Sequence, residues 1–111
     1  MLTWYDPLYV GPKAERQVGK IRKRLDKGKT DPGHYLVTLA ANGTDELDII
    51  NSGFLTWKNV YNHLPMVMGV GADRAEALDI AGRIIEDCLH STGGTDVRAF
   101  IRRTHIDAPE S

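Results

Sequence analysis

Pro65-Met66-Val67-Met68-Gly69-Val70-Gly71-Ala72-Asp73 decides how this chain folds. Eight apolar or small residues end on an aspartate, whose carboxylate can accept the free amides of a helix's first turn. A run of this length, bounded by Pro and Gly, reads as a buried strand over residues 66–70. After Asp73 the period changes. Glu76, Asp79, Arg83, Glu86 and His90 recur at steps of three and four, and Ala77, Leu78, Ala81, Ile84, Ile85, Cys88 and Leu89 lie opposite them. The spacing predicts a helix over residues 73–91, stopped by Gly93-Gly94. The small residues Ala72, Ala75, Ala77, Ala81 and Gly82 would let that helix sit close against a sheet. Residues 97–101 then read as a last strand, although Val97, Phe100 and Ile101 also fit a short helix. Such a strand–helix–strand unit is right-handed if its strands are parallel neighbours.

Working outward, residues 35–41 read as a central strand, rich in aromatic and β-branched types and apolar on both faces. Asp31-Pro32-Gly33-His34 is a turn signal before it. Register chooses how residues 44–51 continue. A two-residue loop sets Leu39 opposite Glu46, whereas a loop of Asn42-Gly43-Thr44 sets Leu39 opposite Leu47 and Val37 opposite Ile49. The hairpin is therefore favoured over the rival, a short helix capped by Thr44. Phe54, Trp57, Tyr61 and Leu64 follow helical spacing weakened by Asn59 and Asn62, which predicts a turn of helix or an ordered loop.

Towards the N-terminus, Pro12 suits a first helical position and Gly28 a terminating one, so a helix is expected over residues 12–27. Its apolar stripe is only Ala14, Val18, Ile21 and Leu25, which leaves most of its surface to water or a partner. Before it, Pro7 confines any strand at residues 5–10 to a sheet edge. Residues 1–11 and 105–111 are otherwise expected to be loosely ordered. The fold class is α+β: a two-layer sandwich in one domain, with a mixed sheet of about four strands and two long helices packed on it.

With 111 residues and a net charge of −1, the chain has the composition of a folded protein. A single cysteine, Cys88, excludes an internal disulfide and points to a reducing, cytoplasmic setting. The first residues, Met1-Leu2-Thr3-Trp4-Tyr5-Asp6-Pro7, lack the basic start and apolar core of a secretory leader. No apolar stretch approaches the ~20 residues that span a bilayer, so no membrane partner is expected.

Charge is divided along the chain. Residues 12–29 hold eight basic side chains against two acidic ones, a net +6, while residues 45–96 sum to −6. One reading is a nucleic-acid face built on Lys13, Arg16, Lys20, Arg24 and Lys27, with Arg98, Arg102 and Arg103 extending it. The other is a solvated helix face, or one matched by the acidic half of the chain or a second copy. Gly69-Val70-Gly71 ahead of a helix start suggests an anion site with Arg74. The third glycine of a dinucleotide fingerprint is missing, however, and Asp73 competes for the same amides. Tight backbone packing explains the glycines equally well. Trp57 and Tyr61 suit an interface or core packing. His34, His63, His90 and His105 are scattered singly, without metal-ligand spacing, so neither a metal nor a cofactor is implied. Cys88 lies on the apolar face and reads as a core residue. No compact catalytic set is present, which argues against an enzyme. The leading expectation is a binding or regulatory module that self-associates or meets a protein partner. Nucleic-acid binding is the alternative, and an anion-binding protein or small enzyme a further one.

The segments Tyr35-Leu36-Val37-Thr38-Leu39-Ala40, Met68-Gly69-Val70-Gly71 with Glu76-Ala77-Leu78, and Thr92-Gly93-Gly94-Thr95-Asp96-Val97-Arg98 resemble those of small bacterial cytosolic proteins without an assigned activity. The resemblance implies a bacterial cytosolic protein and carries over no catalytic role.

Overall fold

A computed structural model describes residues 2–29, 33–41 and 45–104. The turn at residues 31–32, the loop at residues 42–44 and the tail from residue 105 lie outside the described residues. Strand β1 (Trp4–Val10) leads through turns into helix α1 (Val18–Asp26). Strands β2 (Tyr35–Leu39) and β3 (Leu47–Asn51) follow, then a 3-10 turn (Ser52–Thr56) and the short helix α2 (Lys58–Asn62). Strand β4 (Val67–Gly71), helix α3 (Arg74–Thr92) and helix α4 (Val97–Thr104) complete the chain. The four strands form one mixed sheet in the order β1-β4-β2-β3, with β1 parallel to β4 and the other pairs antiparallel.

The hairpin register is the expected one, with Val37 opposite Ile49 and Leu39 opposite Leu47. The alternative register would place acidic side chains opposite core residues, and burial selects against it. Residues 1–11, expected to be loose, instead hold β1, and it is an edge strand as Pro7 requires. Pairing of β1 with β4 is irregular between Trp4 and Tyr9, the stretch that contains Pro7.

All five residues of β4 are buried. Its neighbours alternate between two hydrophobic clusters. Met68 and Val37 pack with Ile80, Ile84 and Cys88 of α3 and with Val97, Phe100 and Ile101 of α4. Val67, Val70 and Leu36 pack with Trp4, Leu55 and Ile21 and Leu25 of α1. Both long helices thus pack on the sheet, α3 on one face and α1 on the other. Gly69 and Gly71 let α3 approach. A Cβ on Gly69 would lie 2.6 Å from Ile80 Cγ2, and one on Gly71 would lie 2.8 Å from the Ala77 amide nitrogen.

Helix α3 starts and stops as its sequence predicts. Asp73 caps it through Glu76 N–H at 2.8 Å, and Gly93 ends it in the left-handed region at φ 77°. Its buried face is rotated from the expected one. Ile80 is buried, whereas Leu78 and Leu89 are exposed by 52% and 44%. Glu76, assigned to the polar stripe, is buried because its carboxylate turns back to receive the amides of Ala72 at 2.9 Å and Lys13 at 2.8 Å.

Two further expectations are corrected. Residues 97–101 form α4, not a strand. Asp96 caps it by accepting Ala99 N–H at 3.1 Å, Glu46 receives Val97 N–H at 3.0 Å, and Val97, Phe100 and Ile101 share one buried face. Among the described residues no parallel strand–helix–strand unit therefore follows β4. Helix α1 begins at Val18 rather than Pro12, because Glu76 holds the Lys13 amide and residues 11–17 bond as tight turns, Ala14 N–H to Gly11 O and Gln17 N–H to Ala14 O. Its end is as expected: Gly28 sits at φ 76°, with Gly28 N–H on Leu25 O and Lys29 N–H on Arg24 O.

The rotation of α3 is measurable. Ile80→Ala should lower unfolding free energy by about 2–5 kcal/mol, and Leu78→Ala by about 0.5 kcal/mol or less. Urea denaturation of both variants checks this, and comparable losses would refute the observed facing.

Candidate functional site

The start of α3, where Gly69, Gly71 and Arg74 suggested an anion, is filled by the chain's own carboxylates. Glu76 takes the Ala72 and Lys13 amides, and Asp73 takes the Glu76 amide. The two glycines face the backbone and side chains of neighbouring elements, as described above, and Arg74 is exposed on the first turn. A small groove of about 210 Å³ beside this helix start is lined by Asp73, Glu76 and Asp79 against Lys13 and Arg83. Three carboxylates against two cations oppose a bound anion. Lys13 itself reaches Asp73 at 3.4 Å.

Helix α1 offers the opposite field. Ile21 and Leu25 anchor it in the core. Arg22 and Asp26 share one flank and are engaged with β1: the Arg22 guanidinium lies 4.9 Å from the Trp4 ring centre, and Asp26 Oδ1 accepts both Leu2 N–H at 3.0 Å and Trp4 Nε1–H at 2.9 Å. The only acid within α1 is thereby turned away from the other flank, where Lys20, Arg24 and Lys27 follow helical spacing. Gly19, Lys20, Lys23, Arg24, Lys27 and Lys29 line a shallow groove of about 430 Å³, with no acidic side chain among the described residues in its walls. Among the described residues Lys20, Lys23, Lys27 and Lys29 make no ion pair. Arg16 is exposed in the turns that lead into α1.

The segment from Ser52 to Asn62 is tied to the two ends of α1. At one end His34 Nε2 meets Gln17 Oε1 at 3.1 Å, while Ser52 donates both its amide and its hydroxyl to His34 O. At the other end the Tyr61 hydroxyl donates to Leu25 O at 2.7 Å and to Asp26 O at 3.1 Å. Burial, and then the Asp26 carboxylate, push the Tyr61 phenol above its ordinary pKa, so it stays a donor. Tyr61 is thus half-buried and ties α2 to the end of α1. Trp57 is 62% exposed, and Phe54, at 49%, meets it edge-on with ring centres 5.8 Å apart.

A third groove, of about 500 Å³, opens between the hairpin and α2, with Asp48, Asn59 and His63 among apolar walls. His63 Nδ1 bonds the Asn59 carbonyl at 2.9 Å. Cys88 is buried, with its thiol on Gly94 O at 3.3 Å. Among the described residues no group of three or more His, Cys, Asp or Glu side chains comes together, and no helix is long and apolar enough to cross a membrane.

Sequence spacing located the cations of α1. It also grouped Arg98, Arg102 and Arg103 with them, but these stand on α4, which packs on the α3 face of the sheet, and Arg98 Nη2 donates to Ala40 O at 2.8 Å. Phe54, absent from the expected interface pair, joins Trp57, while Tyr61 turns inward. The signal for Glu76 was the Asp-x-x-Glu spacing from Asp73 to Glu76, a pattern in which each side chain serves backbone amides at a helix start. The chain matches no protein-family model, no curated protein and no solved structure.

Two outcomes follow for the α3 start. A Cβ on Gly11 would lie 2.2 Å from Glu76 Oε1, so Gly11→Ala and Glu76→Ala break the same contact. Glu76→Ala should cost about 1–3 kcal/mol, and the double variant should cost clearly less than the sum of the singles in urea melts. The Asp73 carboxyl is held below its ordinary value of 3.8, first by the Glu76 amide and further by Lys13. Between the two values the unfolded chain binds more protons, so stability rises with pH there. The gap in melting temperature between wild type and Asp73→Ala should be full above pH 3.8 and close as pH falls through the lower folded value. A pH series of thermal melts reads it, and a gap that widens on acidification would contradict the assignment.

Proposed function

We propose that the chain is a binding module that takes a nucleic-acid backbone on the outer flank of α1. The observation that carries this reading is the groove walled by Lys20, Lys23, Arg24, Lys27 and Lys29 with no carboxylate among them. A cluster of cations held on one helix repels itself, and phosphate groups with their released counterions relieve that repulsion. The flanking chemistry supports the same reading. Asp26 is drawn away by Leu2 and Trp4, and the exposed acids of α3 stand on the far side of the sheet from this groove.

Self-association is a second reading, favoured by the exposed Phe54–Trp57 pair. Such rings are enriched at protein interfaces. Sedimentation velocity that returns only monomer across ionic strengths would remove it.

Titration of labelled mixed-sequence DNA and RNA at low salt tests the leading reading. Binding should weaken steeply with salt. Combined reversal, Lys20→Glu with Arg24→Glu and Lys27→Glu, should abolish it while Lys13→Glu changes it little, since Lys13 is engaged by Asp73. Absence of binding at the lowest salt, where the electrostatics are strongest, would end the proposal.

A further inference from the structure

The sheet has two edges, and they are finished differently. Strand β1 carries Pro7 and an irregular register, features that oppose the addition of another strand. Strand β3, Leu47-Asp48-Ile49-Ile50-Asn51, has neither. Its register with β2 runs unbroken from Leu47 to Asn51, and Asp48 is its only charge. Ala40 N–H bonds Glu46 O and Ser52 N–H bonds His34 O, and bonded pairs alternate along an antiparallel ladder. Asp48 and Ile50 therefore bond β2, while Leu47 and Ile49 turn their N–H and C=O groups to the open edge. Among the described residues those outward groups of Leu47 and Ile49 bond nothing.

The helix layer above this edge is open as well. Tyr35, Leu47, Ile49, Ala81 and Ile85 pack against the α3 cluster but are only half-buried. Helix α3 turns Arg83 and Asp87 to Tyr9 of β1: the Arg83 guanidinium lies 5.6 Å from the ring centre, and Asp87 accepts the phenol. Strands β1 and β3 are opposite edges of the sheet, so the flank of α3 opposite Arg83 and Asp87 is the one turned toward β3. At about 100° per residue that flank holds Leu78, Ile85 and Leu89, with Gly82 on its rim. Leu78 and Leu89 are exposed by 52% and 44%, and a Cβ on Gly82 would meet nothing within 4 Å. Leu78, Gly82, Ile85 and Leu89 are spaced by four, three and four, steps that read the same in both directions.

We infer that a second copy of the chain covers this surface, with β3 pairing antiparallel to its own counterpart about Ile49 and α3 packing antiparallel on the partner's α3. One two-fold axis serves both elements. Tyr35 pairs with both Asn51 and Gly71, which places the start of α3 toward the Asn51 end of β3, and Glu46 on the Val97 amide places its far end toward Leu47. An axis through the middle of β3 therefore also crosses α3 within its span. Leu78 then meets Leu89 of the partner subunit, and Ile85 enters the gap over the partner's Gly82. On the strand, Ile49 meets the partner's Ile49 and Asp48 lies opposite the partner's Ile50, so no carboxylate faces another. An extended peptide would satisfy the strand edge and leave Leu78 and Leu89 in water. A copy related by two-fold symmetry covers both, because the same patch on each chain is complementary to itself. The surface lies on the α3 side of the sheet, away from α1, so it stands independently of the nucleic-acid reading.

Sedimentation velocity of the full chain over a range of concentrations should show a monomer–dimer equilibrium. Leu78→Glu with Leu89→Glu, both at exposed positions, should raise its dissociation constant by roughly 30-fold or more, the effect of losing a buried interface anchor. Circular dichroism should be unchanged, and Trp57→Ala should dimerise like wild type. Backbone amide exchange reads the strand directly. The Leu47 and Ile49 amides should be protected in the dimer and exchange freely in the double variant, while those of Asp48 and Ile50, bonded to β2, stay protected in both. A monomer at every concentration, a double variant that dimerises like wild type, or an Ile49 amide that exchanges freely in the wild-type dimer overturns the inference. Dissociation by Trp57→Ala and not by the α3 changes assigns association to the ring pair and overturns it as well. None of these outcomes bears on binding at α1.

Discussion

Strand β4 is buried on both faces, and most of the architecture answers to that constraint. Its five residues have strands on either side and a hydrophobic cluster above and below. A strand so enclosed has no water to satisfy stray polar groups, and its backbone must find partners within the protein. At its C-terminal end the chain turns at once into α3, so the unpaired amides of a helix start arise in a place shielded by Gly11 and Pro12. Glu76 answers for Ala72 and Lys13, and Asp73 answers for Glu76. The resulting clasp joins the exits of the two parallel strands β1 and β4. It also fixes Gly11 as a glycine, since the space of its missing Cβ belongs to the Glu76 carboxylate.

The same constraint shapes the surface. Because β4 needs cover on both faces, the helices divide between them. One side takes the basic segment on α1, while on the other the acids of α3 stand beside Arg98, Arg102 and Arg103 of α4. Within the basic layer, burial of Trp4 against α1 recruits Asp26 and Arg22, the first as an acceptor for the indole and the second as a cation over its ring. Packing of the edge strand thus decides which charges remain without an ion pair among the described residues, and they include Lys20, Lys23 and Lys27 on the other flank.

Much of this was legible where one energetic requirement dominated. The hairpin register could be read because only one alignment keeps Leu39 and Val37 opposite apolar partners. The bounds of α3 were written in Asp73 and Gly93. What escaped was set by contacts between distant segments. Glu76 looks like a solvent-facing residue on a helical wheel, and only the proximity of Lys13, brought by β1, turns it inward. The rotation of α3 that buries Ile80 and exposes Leu78 follows from that turn and from the depth that Gly69 provides. Residues 97–101 share apolar spacing with a strand, but the Asp96 cap, the Glu46 carboxylate on the Val97 amide and the Arg98 bond to Ala40 O settle them as helix. At the candidate surface the cations of α1 were evident from composition. The inward turn of Tyr61 was not, because its hydroxyl partners are backbone carbonyls that only exist once α1 has ended.

Helix α1 and the aromatic segment are held with different firmness. Helix α1 is pinned by Ile21 and Leu25, both fully covered, so its cations stand on a fixed base. The aromatic segment is tied more lightly. Helix α2 has no buried residue, the 3-10 turn contributes Ser52 and Leu55, and the Tyr61 hydroxyl supplies the far attachment. Elements with few buried contacts open at lower cost than core elements.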